Sequence, residues 1–241
     1  MINSIPRSRR RQIEVSDVRE RVQKRLSAMR AEIKLPLQRI RYVSGLDILC
    51  IAAEAGLKGL RTHRDIKIEE LQSLPEEIAV EDFVDEDDVQ HIVWSNADDL
   101  ETDIEMAADA LNELRKAFCV AAYHHWERAV IEWWYDSNLT KNPPRSFNDI
   151  KAYAEQLGIP VDEDLGKVVA LTNLIKHNNK DKWAKLRGVW PEIVPRERPG
   201  NVADWSGTVE LTDNDLLDVF RAVQRSGPHR SGSLEDLPFS P

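Results

Sequence analysis

The sequence predicts an all-α fold: a helical bundle with an N-terminal helical extension and an acidic linker. Three observations predict it. Ten glycines and twelve prolines in 241 residues are too few for the turns of a sandwich or barrel, and most prolines stand outside the long periodic stretches. Apolar residues recur at spacings of three and four along much of the chain. Hydrophobic residues make up 41% and charged residues 31%, which is enough apolar content for a core and too much for a wholly disordered chain.

Residues 1–13 read as a disordered basic tail. From Ser16, a candidate N-cap, Val18, Val22, Leu26, Met29 and Ile33 form one apolar stripe on a charged helix, and Pro36 either ends it or starts the next element. Residues 37–60 are more apolar and read as the central helix of an N-terminal unit spanning 14–62. An acidic linker over 63–97 follows, with a short helix near 67–73 and either a strand or a helical turn at 89–94. The longest periodic run starts near Asn96 and reaches Asp136, with Asp98, Asp99 and Glu101 complementing the dipole of its first turn. It reads as the spine of a domain over 98–226.

Ser146 with Asp149 predicts a capped helix that Gly158 stops. Residues 162–177 predict a second helix, residues 183–190 a short amphipathic one that Pro191 closes, and residues 208–211 a short strand. Thr212 with Asp215 caps the last helix. Residues 227–241, rich in Ser, Pro and Gly, read as a disordered tail. Leu111, Leu114, Phe118, Trp126, Val130, Val168, Val169 and Ile175 lie on facing stripes and are expected to share one core.

Cys50 and Cys119 sit inside apolar helical patterns with no partner at metal or redox spacing, so two buried free thiols in a reducing compartment are expected. No stretch approaches the roughly 18 apolar residues of a membrane span, and the basic N-terminus lacks the apolar run of a signal peptide. These features point to the cytoplasm and to no membrane partner. The net charge of −9 is unevenly spread. Residues 1–41 hold twelve Lys/Arg against four Asp/Glu, a net of +8, whereas residues 65–105 hold one against sixteen, a net of −15. Such asymmetry reads as two solvated faces that partly neutralise each other, or as a basic arm for nucleic acid or an acidic partner. An RNA backbone would have to avoid the acidic stretch.

The chain has no glycine-rich phosphate loop, no HExxH, no CxxC, no GxSxG and no dinucleotide fingerprint, and nothing in it calls for a metal or cofactor. Histidines and carboxylates remain for acid–base work, and two places concentrate them. In YHHWERAVIEWW, residues 123–134, His124 and Glu127 stand one helical turn apart. A carboxylate there could hold the imidazole's tautomer and support general acid–base chemistry. The same residues also read as core-edge side chains with satisfied polar tips. In LTNLIKHNN, residues 171–179, Asn173 and His177 share a helix face beside Lys176, near the dipole's negative end. Ordinary C-terminal capping also explains that stretch.

Together the two places resemble a bacterial group of HEPN-like proteins, which carry YHLWEK, then LANVIKHG, then a KLRxxRPDLF segment with a final short strand and helix. The matching stretches are YHHWER (123–128), LTNLIKHN (171–178), KLRGVWPEIV (185–194) and VELTDNDL (209–216). The resemblance spans residues 105–225 and leaves 1–97 without a counterpart. It implies a helical bundle that forms a homodimer through this half. It also implies metal-independent RNA cleavage by an effector or toxin of a bacterial or phage conflict system, with a cognate protein partner. In that chemistry a ribose 2′-OH attacks the adjacent phosphate, a His acts as acid or base, and an Arg steadies the phosphorane. His177 then becomes the acid–base group, Asn173 its orienter and Lys176 the phosphate contact. Glu127 and His124 support or complete the cleft, and Arg128 and Asn178 bind. The chain departs from the family pattern at one position: Thr172 stands where the Arg is expected. That departure admits a second reading, a non-catalytic HEPN-like scaffold for dimerisation or partner docking. A third makes residues 65–105 an acidic mimic of nucleic acid.

Overall fold

The computed structural model describes residues 7–74, 96–136, 143–195 and 204–228, with the backbone alone over 7–36. It contains six α-helices: α1 Arg7–Gln72, α2 Asn96–Asp136, α3 Phe147–Gln156, α4 Leu165–His177, α5 Lys180–Val189 and α6 Asp213–Arg225, with a 3-10 turn over Pro191–Ile193. No strand occurs among the described residues. The all-α bundle is therefore as the sequence predicts.

The N-terminal third differs from the expectation. One helix runs unbroken from Arg7 through Pro36 to Gln72, where a basic tail, a break and the start of a linker were expected. Pro36 forgoes one main-chain hydrogen bond, and the intact turns on either side carry the helix across it. Nor is this a separate unit. α1 packs more extensively on α2 than on any other element, and Tyr42, Leu46, Cys50, Ala53 and Leu57 belong to the same buried cluster as Leu111, Trp126, Val168 and Phe220. The two long helices are antiparallel: Gln38 donates to Asp136 at one end, and Lys67 meets Asp103 at the other. The expected strand or turn at 89–94 and most of the acidic linker lie outside the described residues.

α2 is the spine. α3, α4 and α6 all pack on it, and Trp126, Val130, Cys119 and Ala122 are fully buried along its inner face. Of the eight core residues expected, five are buried, while Leu114, Phe118 and Ile175 are partly buried against the same cluster. Trp126 also donates its indole N–H to the Ser226 carbonyl, so Trp126→Ala would cost about 3–5 kcal/mol.

The caps at Ser146/Asp149 and Thr212/Asp215 both form complete capping boxes. Gly158 adopts φ +73° just past α3, a conformation that glycine takes freely. α4 starts three residues later than expected, at Leu165. The strand expected at 208–211 is an extended segment held by side chains. Asn112 donates to the Val209 carbonyl and accepts from the Leu211 N–H, while the main-chain bonds are two, from Val209 back to Ser206 and from Glu210 to Ile193. Gly227, expected in the disordered tail, is instead buried against Tyr42, and residues 229–241 lie outside the described residues. A Cβ at position 227 would collide with the Tyr42 ring.

Candidate functional site

The sequence's candidate residues fall in three places. On the outer side of α2, the His124 Nδ1 lies 2.9 Å from Glu127 Oε2, and the Tyr123 hydroxyl donates to Glu127 Oε1 at 3.2 Å. The i, i+3 and i, i+4 spacings on one helix bring these three groups together. Burial, reinforced by Glu127, pushes the Tyr123 phenol above its ordinary range, so this hydroxyl stays protonated and donating. His124 is half exposed. Its Nδ1 faces a carboxylate, which only accepts, so the Nδ1–H is the donor of that bond.

Arg128 turns to the other edge of α2, where its Nε donates to Glu132 at 3.0 Å. It lines a groove of about 280 Å³ between α1 and the end of α2, together with Arg41, His125 and Asp136. His125 is fixed there from two sides. Its ring stacks on Tyr42 with centroids 4.9 Å apart, and its Nε2 donates to the Tyr42 carbonyl at 2.8 Å. The groove was not foreseen, because a third of its lining comes from α1 and nothing local reveals how α1 and α2 align.

The third place is the end of α4. Asn178 adopts the left-handed conformation, φ 42°, that closes the helix. Its Oδ1 accepts the Ser206 N–H at 2.9 Å. The buried Lys116 donates to the Ser206 carbonyl at 2.9 Å and to Glu113 at 2.7 Å. The turn at 204–208 is thus pinned through both main-chain groups of Ser206, and Asn178 has a structural partner rather than a free binding edge. Asn179 caps α5 by accepting the Lys182 N–H.

Lys176 and His177 are exposed and Asn173 is partly exposed. Among the described residues no hydrogen bond or ion pair joins any of the three to His124, Glu127 or Arg128. Thr172, at the position of the expected Arg, is only 5% exposed and lies on a turn whose neighbours Ala170, Leu171 and Leu174 are buried. Its Oγ1 is buried without a hydrogen-bond partner.

Among the described residues no three His, Cys, Asp or Glu side chains gather as metal ligands, and no helix is long and apolar enough to cross a membrane. The chain matches no family model, and neither a curated protein nor a solved structure is found to be similar to it.

Proposed function

We propose that this chain is a non-catalytic helical scaffold of the HEPN-like type, which works by binding a protein chain rather than by cutting RNA. The observation that carries the reading is the burial of Thr172. The position that would have to present a guanidinium to a phosphate is packed into the core, where a charge would be desolvated rather than offered to a substrate. His177 agrees with it, since no carboxylate or cation among the described residues touches the ring to orient or activate it.

The rival reading, metal-independent RNA cleavage in a conflict system, is favoured by one observation, the half-exposed His124 held by Glu127. Incubating the full chain with total RNA in EDTA separates the two. The scaffold reading expects the RNA to stay intact. EDTA-resistant cleavage that His124→Ala or His177→Ala abolishes would overturn it and support a cytoplasmic ribonuclease that dimerises through the half spanning residues 98–226.

A further inference from the structure

α1 is apolar on two opposite faces, and the rest of the described chain covers only one. Tyr42, Leu46, Cys50, Ala53 and Leu57 are buried against α2. About half a turn away around the helix, Leu37, Ile40, Ile48 and Ile51 are 53%, 59%, 65% and 55% exposed. Ser44 and Ala55, also exposed, complete the row. Contiguous exposure of four large aliphatic side chains is what a covered interface looks like when its cover is missing.

The spacing of this row identifies the cover. Leu37, Ile40, Ser44, Ile48, Ile51 and Ala55 repeat as three, four, four. The sequence continues the repeat without a slip toward the N-terminus, through Ile33, Met29, Leu26, Val22, Val18 and Val15. Between Val15 and Ile33 those six are the only apolar residues larger than alanine. An 11-residue period of 3-4-4 keeps an apolar seam on one face of a nearly straight helix, the pattern of a coiled coil with slight right-handed winding. The helix carrying it is continuous, so residues 15–33 cannot fold back onto 37–55 of their own chain. They can lie on 37–55 of another.

We propose that α1 forms an antiparallel coiled coil with α1 of a second copy of this chain, Val15–Ile33 of each packing on Leu37–Ala55 of the other. Full overlap of the seam pairs Val15 with Ala55, Leu26 with Ser44 and Ile33 with Leu37, along about 60 Å of helix. Charge selects the direction. A parallel pair would set the +8 segment 1–41 beside its own copy, whereas the antiparallel pair carries it to the end of the partner from which the −15 segment 65–105 departs. This inference rests on the scaffold reading and names its partner as a second copy. The interface is α1, not the half spanning residues 98–226 that the family resemblance implies.

The test uses the full chain. Light scattering at tens of micromolar should give twice 27.6 kDa, and Ile40→Glu with Ile48→Glu should return the 27.6 kDa species with unchanged helical circular dichroism, since both side chains are exposed in the single chain. Direction is read by oxidation. Leu26→Cys chains mixed with Ser44→Cys chains should form a covalent dimer, whereas Ser44→Cys alone should not, because its two copies would stand about 27 Å apart. A wild-type mass of 27.6 kDa would overturn the proposal while leaving the RNA result, and with it the scaffold reading, untouched. Efficient cross-linking of Ser44→Cys to itself would overturn the antiparallel arrangement.

Discussion

His125 lies directly over Gly45, so that a β-carbon at position 45 would stand 2.5 Å from the ring's Cε1. The ring has little freedom to withdraw, being stacked on Tyr42 and bonded to the Tyr42 carbonyl. In a free helix Gly→Ala gains about 1 kcal/mol. Here the clash reverses the sign, and Gly45→Ala should destabilise the protein by about 1–3 kcal/mol. In a His125→Ala background the same change should be neutral or stabilising, a coupling that a double-mutant cycle in urea would measure. Equal effects in both backgrounds would refute the contact.

How much of this could be read from the sequence follows from the range of each interaction. The capping boxes at Ser146/Asp149 and Thr212/Asp215 were legible because each is a contact across three residues. So was the His124–Glu127 pair, one turn apart on α2. The continuity of α1 was not, because Pro36 is a local breaker that the turns around it override. Which face of residues 37–60 points inward was hidden for another reason: both faces are apolar, and periodicity does not distinguish a core from an interface. The relation between residues 124–128 and 173–178 depends on how α2 and α4 meet, about which local spacing is silent.

Asn178 gives a prediction about capping. Its left-handed backbone suits Asn or Gly, and its side chain holds Ser206. Asn178→Gly keeps the backbone and loses the bond, so it should cost about 1 kcal/mol. Asn178→Ala loses both and should cost about 2 kcal/mol. Chemical denaturation of the two variants checks the order, and a binding role alone would leave both midpoints unchanged.

Acid stability should depend on Asp162. Its partial burial opposes ionisation, but the Arg225 guanidinium, the Asp164 amide and Lys167 outweigh that effect and hold the carboxyl below its ordinary value. Bonds from Ser146 lower Asp149, and bonds from Ser206 and the Gly207 amide lower Asp204. A depressed folded value contributes stability that is present above the unfolded carboxylate value of about 3.9 and is lost as pH falls through the folded one. Asp162→Asn should therefore be less stable than the parent at pH 6, and the gap should close as pH drops below 4. Parallel melts across that range would contradict the assignment if the gap stayed constant.

Thr172 supplies the prediction that bears most directly on function. Its hydroxyl is buried with no partner, and an unmade hydrogen bond in the core costs about 1–3 kcal/mol. Valine has the same shape without the oxygen, so Thr172→Val should leave stability unchanged or raise it by about 1 kcal/mol. Thr172→Arg restores the residue that the HEPN-like pattern expects, yet places a guanidinium at a position only 5% exposed. An uncompensated buried charge costs on the order of 3–5 kcal/mol, so this variant should melt far below the parent and gain no RNA cleavage. If Thr172→Arg were as stable as the parent and cut RNA in EDTA, the position would be open to a substrate, and the scaffold reading would give way to the nuclease.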